Sequence, residues 1–313
     1  MKNVNDLIWV EKYRPQSVEF CILPERLKQL FTRIVEEKSI PNMILSGTAG
    51  VGKTTIARAL CNDVGCDYLF INGSDENGID TFRSKIKTYA SSSSISGGKK
   101  VVIIDEADYM NPHTLQPSLR AAIEEFAANC TFIFTCNYKE RLIQPLHSRC
   151  TVIDFTLHKE EKVFMAKEFY KNIKNVLVVE GIEFDNAVLI QFVKTYFPDF
   201  RRTINELQRY SKMGKIDVGI LTNIAHSNIK ECVEFLKNKD FRSTRKWVGT
   251  NELNYDTVFT QIYDALYDIM MPQSIPQAVL ILADYQYKSA FVGDKELNLV
   301  ACLVELMGNC EFK

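Results

Sequence analysis

No run of about 18 consecutive apolar residues and no charged-then-apolar leader occurs in the 313 residues. A membrane span and export are therefore both unexpected, and the compartment read from the chain is cytoplasmic. The nine cysteines (Cys21, Cys61, Cys66, Cys130, Cys136, Cys150, Cys232, Cys302, Cys310) are odd in number and scattered. Without a paired CxxC at ligand spacing, they read as reduced, mostly buried thiols. A basic surplus is missing too: 38 basic residues stand against 39 acidic ones, for a formal net charge of −1. No global positive field announces nucleic acid, so any DNA contact must come from a local basic surface. No internal repeat with a period of 20 to 50 residues is present, which excludes solenoids and propellers. The one low-complexity stretch, Ser91 to Lys100, reads as a loop.

What the chain does have is 46% hydrophobic and 25% charged residues, the balance of a globular protein with enough apolar surface for two or three cores. Its first half alternates short β-branched runs with helical stretches: NMILS, TTIARALCNDV, YLFING, VVIIDEAD and TFIFTCN. This rhythm predicts a parallel βαβ sheet whose strands end in polar residues at the carboxyl edge, where open α/β sheets bind ligands. After about Phe155 the apolar residues recur at three- and four-residue spacing over Lys159–Lys174, Asp185–Tyr196 and Thr203–Met213, predicting a small helical unit. A polar stretch near Ile224 to Asn228 precedes further helical patterns over Ile229–Lys237, Tyr255–Met270, Pro276–Ala290 and Lys295–Gly308. The expected division is an α/β domain over 1–155, a small helical unit over 156–226 and a helical bundle over 227–313.

Gly47-Thr48-Ala49-Gly50-Val51-Gly52-Lys53-Thr54 fits GxxxxGKT between an apolar strand and a helix beginning near Lys53. Glycines there let backbone N–H groups turn around phosphate oxygens of ATP, with Thr55 closing the loop. Lys53 reaches the β and γ phosphates, and the Thr54 hydroxyl can ligate Mg2+. About fifty residues on, Val101 to Glu106 reads as a buried strand ending in two carboxylates. Asp105 would hold Mg2+ through water and Glu106 would polarise the attacking water, two roles that need two acids. The plainer alternative is a pair of solvated acids capping the next helix, with Asp108 completing a charged turn. The string Asp105 to Asp108 spells DEAD, but no other RNA-helicase motif accompanies it. Asn137, at the end of the strand Thr131–Asn137, is either a turn residue or a group that orders the lytic water.

Eight residues later, Pro145-Leu146-His147-Ser148-Arg149-Cys150 brings a specific resemblance. The chain resembles the small ATP-hydrolysing subunits of sliding-clamp loaders, which are AAA+ proteins, and is most similar to those of tailed phages. That resemblance covers nearly the whole chain and implies a RecA-like P-loop module with a parallel sheet, a helical lid and an all-α C-terminal collar. It makes Arg149, in the SRC tripeptide, a finger for a neighbouring subunit's ATP. Trp9 to Pro15 resembles the family's WVEKYRP box beside the nucleotide base, which implies contacts from Tyr13 and Arg14. Phe197 to Arg202 resembles the family's GDMR motif, so Arg201 matches its γ-phosphate sensor, with Arg202 left open as the alternative. Asn77 to Lys87 resembles a helix facing DNA, in which Arg83, Lys85 and Lys87 supply backbone-reading cations. Gln116 and Arg120 lie in a stretch similar to the family's QNALRR, with Pro117 expected in that helix's first turn.

The implied partners are other copies of the chain in a ring, a distinct partner subunit, a sliding clamp and primer-template DNA, with no membrane. Hydrolysis of ATP would release the closed clamp on DNA. The rivals are a non-hydrolysing structural subunit, against which intact Lys53, Thr54, Asp105 and Glu106 argue, and another AAA+ machine such as a branch-migration motor. The latter would carry a winged-helix or helix-turn-helix unit after the lid, where this chain predicts a plain bundle.

Overall fold

A computed structural model describes residues 8–75, 78–92, 99–212, 214–216, 229–250 and 255–313. Asn77, Met213, the centre of the serine-rich stretch and the stretch Ile224 to Asn228, with the domain boundary expected there, lie outside the described residues. The chain forms two compact units, Met1–Asp217 and Val218–Lys313.

In the first unit, strands β1 (Met43–Ser46), β2 (Tyr68–Asn72), β3 (Lys100–Asp105), β4 (Cys130–Cys136) and β5 (Thr151–Asp154) form one sheet in the order β2-β3-β4-β1-β5. Every pairing is parallel. Because side chains alternate across a strand, Met43, Leu45, Val101, Ile103 and Ile133 enter one apolar cluster with Phe31, Ile56 and Leu60. Ile44, Val102, Ile104, Phe132 and Phe134 enter the other, with Phe82, Ile86 and Leu119. Both faces are covered, which explains the unbroken apolar run before Asp105. The helices that cover them are α2 (Glu25–Glu36), α3 (Lys53–Val64), α4 (Ile79–Ser91) and α5 (Leu115–Glu125), and cutting Phe132 to Ala would cost ~3–5 kcal/mol. The order also fixes the site. Both neighbours of β1, strands β4 and β5, come last in the chain, so the loops after β1, β3 and β4 converge at one carboxyl edge.

Lys100, expected in the loop, instead begins β3 and is buried. Its Nζ donates to the carbonyls of Tyr89 and Ser92 at 2.8 and 2.6 Å, so a cation satisfies the carbonyl end of α4.

The rest of this unit holds the one-turn helices α1 (Trp9–Lys12) and α6 (Gln144–His147), then α7 (Lys159–Val179), α8 (Asn186–Tyr196) and α9 (Phe200–Ser211), with a two-stranded pair β6 (Glu183–Phe184) and β7 (Lys215–Ile216). Helix α7 runs five residues past its expected end because Val176 and Leu177 stay buried, and the chain turns at Gly181 with φ +69°. Helix α9 starts three residues early because the Asp199 carboxylate caps it, accepting from Arg202 N at 2.9 Å.

The second unit is helical: Ile229–Lys237, Phe241–Thr250, Tyr255–Ile269, Ile275–Ser289 and Lys295–Asn309 surround a core including Trp247, Phe259, Leu266, Leu303 and Leu306. Phe241–Thr250 is absent from the sequence expectation; charge and polarity dilute its apolar spacing to Trp247 and Val248. No strand longer than an isolated bridge occurs among its described residues. No described helix is long and apolar enough to cross a membrane.

All nine thiols are free, and seven are buried. Burial pushes Cys21, Cys150, Cys232 and Cys302 up to about 12 and Cys130 and Cys136 to about 11. Only the thiolate reacts quickly. Cys66 is the exception: half-buried, it is lowered by a hydrogen bond from Cys61. Labelling the native protein with a chromogenic disulfide at pH 7.5 should therefore modify Cys66 first and leave most thiols unreactive until denaturant is added. Rapid modification of all nine would contradict this packing.

Candidate functional site

The phosphate loop joins β1 to α3. Gly50 and Gly52 take φ +77° and +95°, a region glycine occupies without strain. Lys53, the first residue of α3, is only 8% exposed. Its Nζ donates to the carbonyls of Gly47 and Thr48, both at 2.7 Å, and to Asn137 Oδ1 at 2.9 Å. Burial lowers its pKa below the ordinary lysine value, while Asp105 and Asp108 oppose the shift.

At the end of β3, Asp105 Oδ1 accepts from Thr54 Oγ1 at 2.7 Å and from Thr135 Oγ1 at 2.5 Å. Glu106 follows with φ +54° and ψ +42°, and its N–H donates to Thr135 Oγ1 at 3.1 Å. A left-handed non-glycine residue costs on the order of 1–3 kcal/mol, and such strain clusters at functional sites. The same backbone comes so close to β2's end that a Cβ on Gly73 would lie 2.9 Å from the Glu106 carbonyl oxygen. Asp108 is no solvated helix cap. It is buried, and its Oδ2 accepts the N–H groups of Asn137 and Tyr138 at 3.1 Å each. Gln116, wholly buried, holds the far end of that loop: Nε2 donates to the carbonyls of Met110 and Arg141, and Oε1 accepts from Ile143 N at 2.8 Å. Pro117 stands third in α5, in its first turn as expected.

One pocket gathers most of these groups. Ala49, Gly50, Gly52, Lys53, Thr54, Thr55, Asp105, Glu106 and Asn137 line it together with Tyr13, Arg14 and Arg201. Gly47, Thr48 and Val51 do not; the Val51 side chain belongs to the apolar core. Arg201 lines the pocket, whereas the Arg202 guanidinium stacks 5.1 Å from the Tyr196 ring. The lid reaches the loop directly, with Phe200 N donating to Gly50 O at 3.1 Å. Cys21, Ile22, Leu23, Phe169, Asn172 and Ile204 also line it and have no site role in the sequence reading. They carry no motif; only helical spacing of Phe169 and Ile204 hinted at an inward face.

Thr54 and Asp105 put a hydroxyl and a carboxylate side by side at the phosphate end, and no cluster of three or more His, Cys, Asp or Glu suited to a metal exists among the described residues. Few hard oxygen ligands beside a phosphate loop fit Mg2+, which keeps waters and phosphate oxygens in its shell.

Arg149 does not line this pocket. It lies beside α5, where Nε donates to Glu124 Oε1 at 2.8 Å, Nη2 also bonds that oxygen, and Nη1 donates to Pro145 O at 2.9 Å. The guanidinium beside Glu124 holds that exposed carboxyl below its usual value. Arg83, Lys85 and Lys87 are exposed on α4. At 100° per residue Arg83 and Lys87 share one flank of the buried stripe Phe82–Ile86–Ala90, and Lys85 falls on the other. The three do not form one cluster.

Comparison with known proteins agrees with this geometry. Residues 43–156 match the ATPase family associated with various cellular activities (AAA), and residues 161–222 match the AAA+ ATPase lid domain of the sliding-clamp-loader large subunit. The chain is 36% identical to the sliding-clamp-loader large subunit of Enterobacteria phage T4 over 99% of both chains. It is 31% identical to the replication factor C small subunit of Methanosphaera stadtmanae over 97% of this chain and 91% of that one. Among solved structures, the RuvB Holliday junction branch migration motor of Thermotoga maritima superposes with a TM-score of 0.58 at 18% identity, covering 92% of this chain and 91% of that one. At that identity the likeness is one of fold.

Proposed function

The chain belongs to the sliding-clamp-loader family of AAA ATPases, and on that premise we propose that it hydrolyses ATP as one of several copies in a ring-shaped loader. With a distinct partner subunit, that ring opens or holds a sliding clamp and places it on primer-template DNA, both of which stimulate hydrolysis. The domains are 1–155 for the ATPase module, 156–226 for the lid and 227–313 for the collar that joins neighbours.

Within one subunit, the loop N–H groups and Lys53 hold the phosphates, exchanging the lysine's bonds to Gly47 and Thr48 for phosphate oxygens. Glu106 takes a proton from the attacking water, which Asn137 orients while still bonded to Lys53. Arg201, from the lid, senses the γ phosphate in cis. Thr54 and Asp105 would hold Mg2+, which when bound would neutralise charge on the phosphate oxygens. Tyr13 and Arg14 flank the base. Arg83 and Lys87 are the DNA-backbone cations best placed to act together.

The observation that carries an assembly-dependent mechanism is the position of Arg149. All the other charged residues assigned to ATP line one pocket, and this one stands outside it, fixed at the surface by Glu124. A finger supplied in trans makes hydrolysis conditional on a neighbour and contributes roughly 10³–10⁵ in rate. Arg149→Ala should thus leave ATP affinity of the isolated chain unchanged and lower turnover of the assembled complex about a thousandfold or more. If the isolated chain loses ATP affinity instead, Arg149 acts in cis and the trans assignment fails.

A further inference from the structure

One wall of the pocket is a strap over residues 8–15, tied to the lid by a glutamine at one end and a carboxylate at the other. Val10, Tyr13, Arg14 and Pro15 line the pocket from the strap; Phe169, Asn172, Phe200, Arg201 and Ile204 line it from lid helices α7 and α9. The strap's own structure is one helical turn, α1 (Trp9–Lys12), too short to persist without outside support.

That support comes from the lid. Trp9 is buried, and its backbone N–H donates to Gln208 Oε1 on α9 at 3.1 Å. The Tyr13 hydroxyl donates to Glu180 Oε1 at 2.5 Å, and Lys12 Nζ reaches the same oxygen at 2.6 Å. Glu180 is the residue that caps the C-terminus of α7. An acid is disfavoured at that negative end of a helix, so the position carries a cost that the strap's donors offset. A lysine and a phenol converging on one oxygen also make a stronger clasp than an exposed ion pair alone. Glu180 does not line the pocket, whereas Tyr13, which it holds, does.

We propose that Glu180 is a positioning residue for bound nucleotide: by clasping Tyr13 and Lys12 it closes the strap over the base and sets the rate at which nucleotide leaves. The inference rests on the reading of this pocket as the ATP site. Opening the clasp frees a wall of the base site without moving Lys53, Asp105 or Glu106, so it changes retention and leaves the chemical step alone.

The test is stopped-flow release of N-methylanthraniloyl-ADP from the full chain, with single-turnover hydrolysis measured on the assembled complex. Losing a hydrogen bond to a charged group should speed release about tenfold or more in Glu180→Ala. Single-turnover hydrolysis of saturating ATP should stay within about threefold of wild type. Glu180→Gln keeps an acceptor for Tyr13 and loses the ion pair, so it should fall between the two. Tyr13→Phe removes one oxygen and keeps the ring's packing; it should speed release similarly, and combining it with Glu180→Ala should add little. Tyr13→Phe also answers for the case in which Glu180→Ala fails to fold. Release rates within twofold of wild type in both variants would overturn the proposal, as would a loss of single-turnover rate as large as the gain in release. Wild-type chain that binds none of the probe would instead overturn the ATP-site reading.

Discussion

Glu106→Gln should abolish ATP turnover while the chain still binds ATP. The substitution preserves size and one oxygen but removes the proton acceptor, and general-base catalysis of this kind is worth about 10²–10⁴ in rate. The phosphate-holding groups are untouched: Lys53 keeps its bonds, and Asp105 keeps both threonine hydroxyls. The left-handed backbone at this position is fixed by Thr135 and by the close approach of Gly73, neither of which depends on the carboxylate. Equilibrium binding of a fluorescent ATP analogue should therefore change by no more than a few fold, while single-turnover hydrolysis in the complex falls by the factor above. Loss of binding would mean that Glu106 holds the loop and does no chemistry.

The second large effect is expected at Gly50. Its φ of +77° already disfavours any other residue, and a Cβ there would sit 1.9 Å from Asp199 Oδ1. Asp199 cannot simply move, because its carboxylate caps α9 and the next residue's N–H bonds Gly50 itself. Either the phosphate loop or the lid helix carrying Arg201 must shift. Gly50→Ala is expected to weaken ATP binding on the order of 100-fold, equivalent to about 2.8 kcal/mol. Gly65→Ala is the matched control: φ there is +72°, with nothing within 4 Å of the added carbon. It should cost ~1 kcal/mol of stability and leave ATP affinity alone. Equal loss of affinity in both variants would refer the effect to general destabilisation.

The parts of the site legible in the sequence were those with their own chemical spelling. Lys53, Thr54, Asp105 and Glu106 sit in motifs whose spacing is set by a strand and the turn after it, so strand and ligand geometry are written together. Asn137 is ambiguous in the sequence as a strand-ending amide, and only the fold brings it to Lys53. Arg201 and Arg202 were inseparable by pattern; the Asp199 cap decides which of them faces the pocket, because it fixes where α9 begins. Val51 belongs to the loop motif yet spends its side chain on the core.

What stayed hidden depends on contacts between distant segments. Asp108 looked like a surface acid because nothing local shows that two N–H groups from the next strand's end converge on it. The clasp of Glu180 on Tyr13 spans 167 residues and leaves no periodic trace. The resemblance of Asn77 to Lys87 sets Lys85 beside Arg83 and Lys87, although a helix turns such near neighbours to opposite flanks. The two-residue strands β6 and β7 are too short for alternation to register at all.

The central claim is that hydrolysis by this chain serves clamp loading. Its most direct test is steady-state ATPase of the chain with its partner subunit, with and without sliding clamp and primer-template DNA. Strong stimulation that requires both, and is abolished by Glu106→Gln, is the predicted result. Hydrolysis at the same rate with neither, either or both present would leave an ATPase and contradict the loader function.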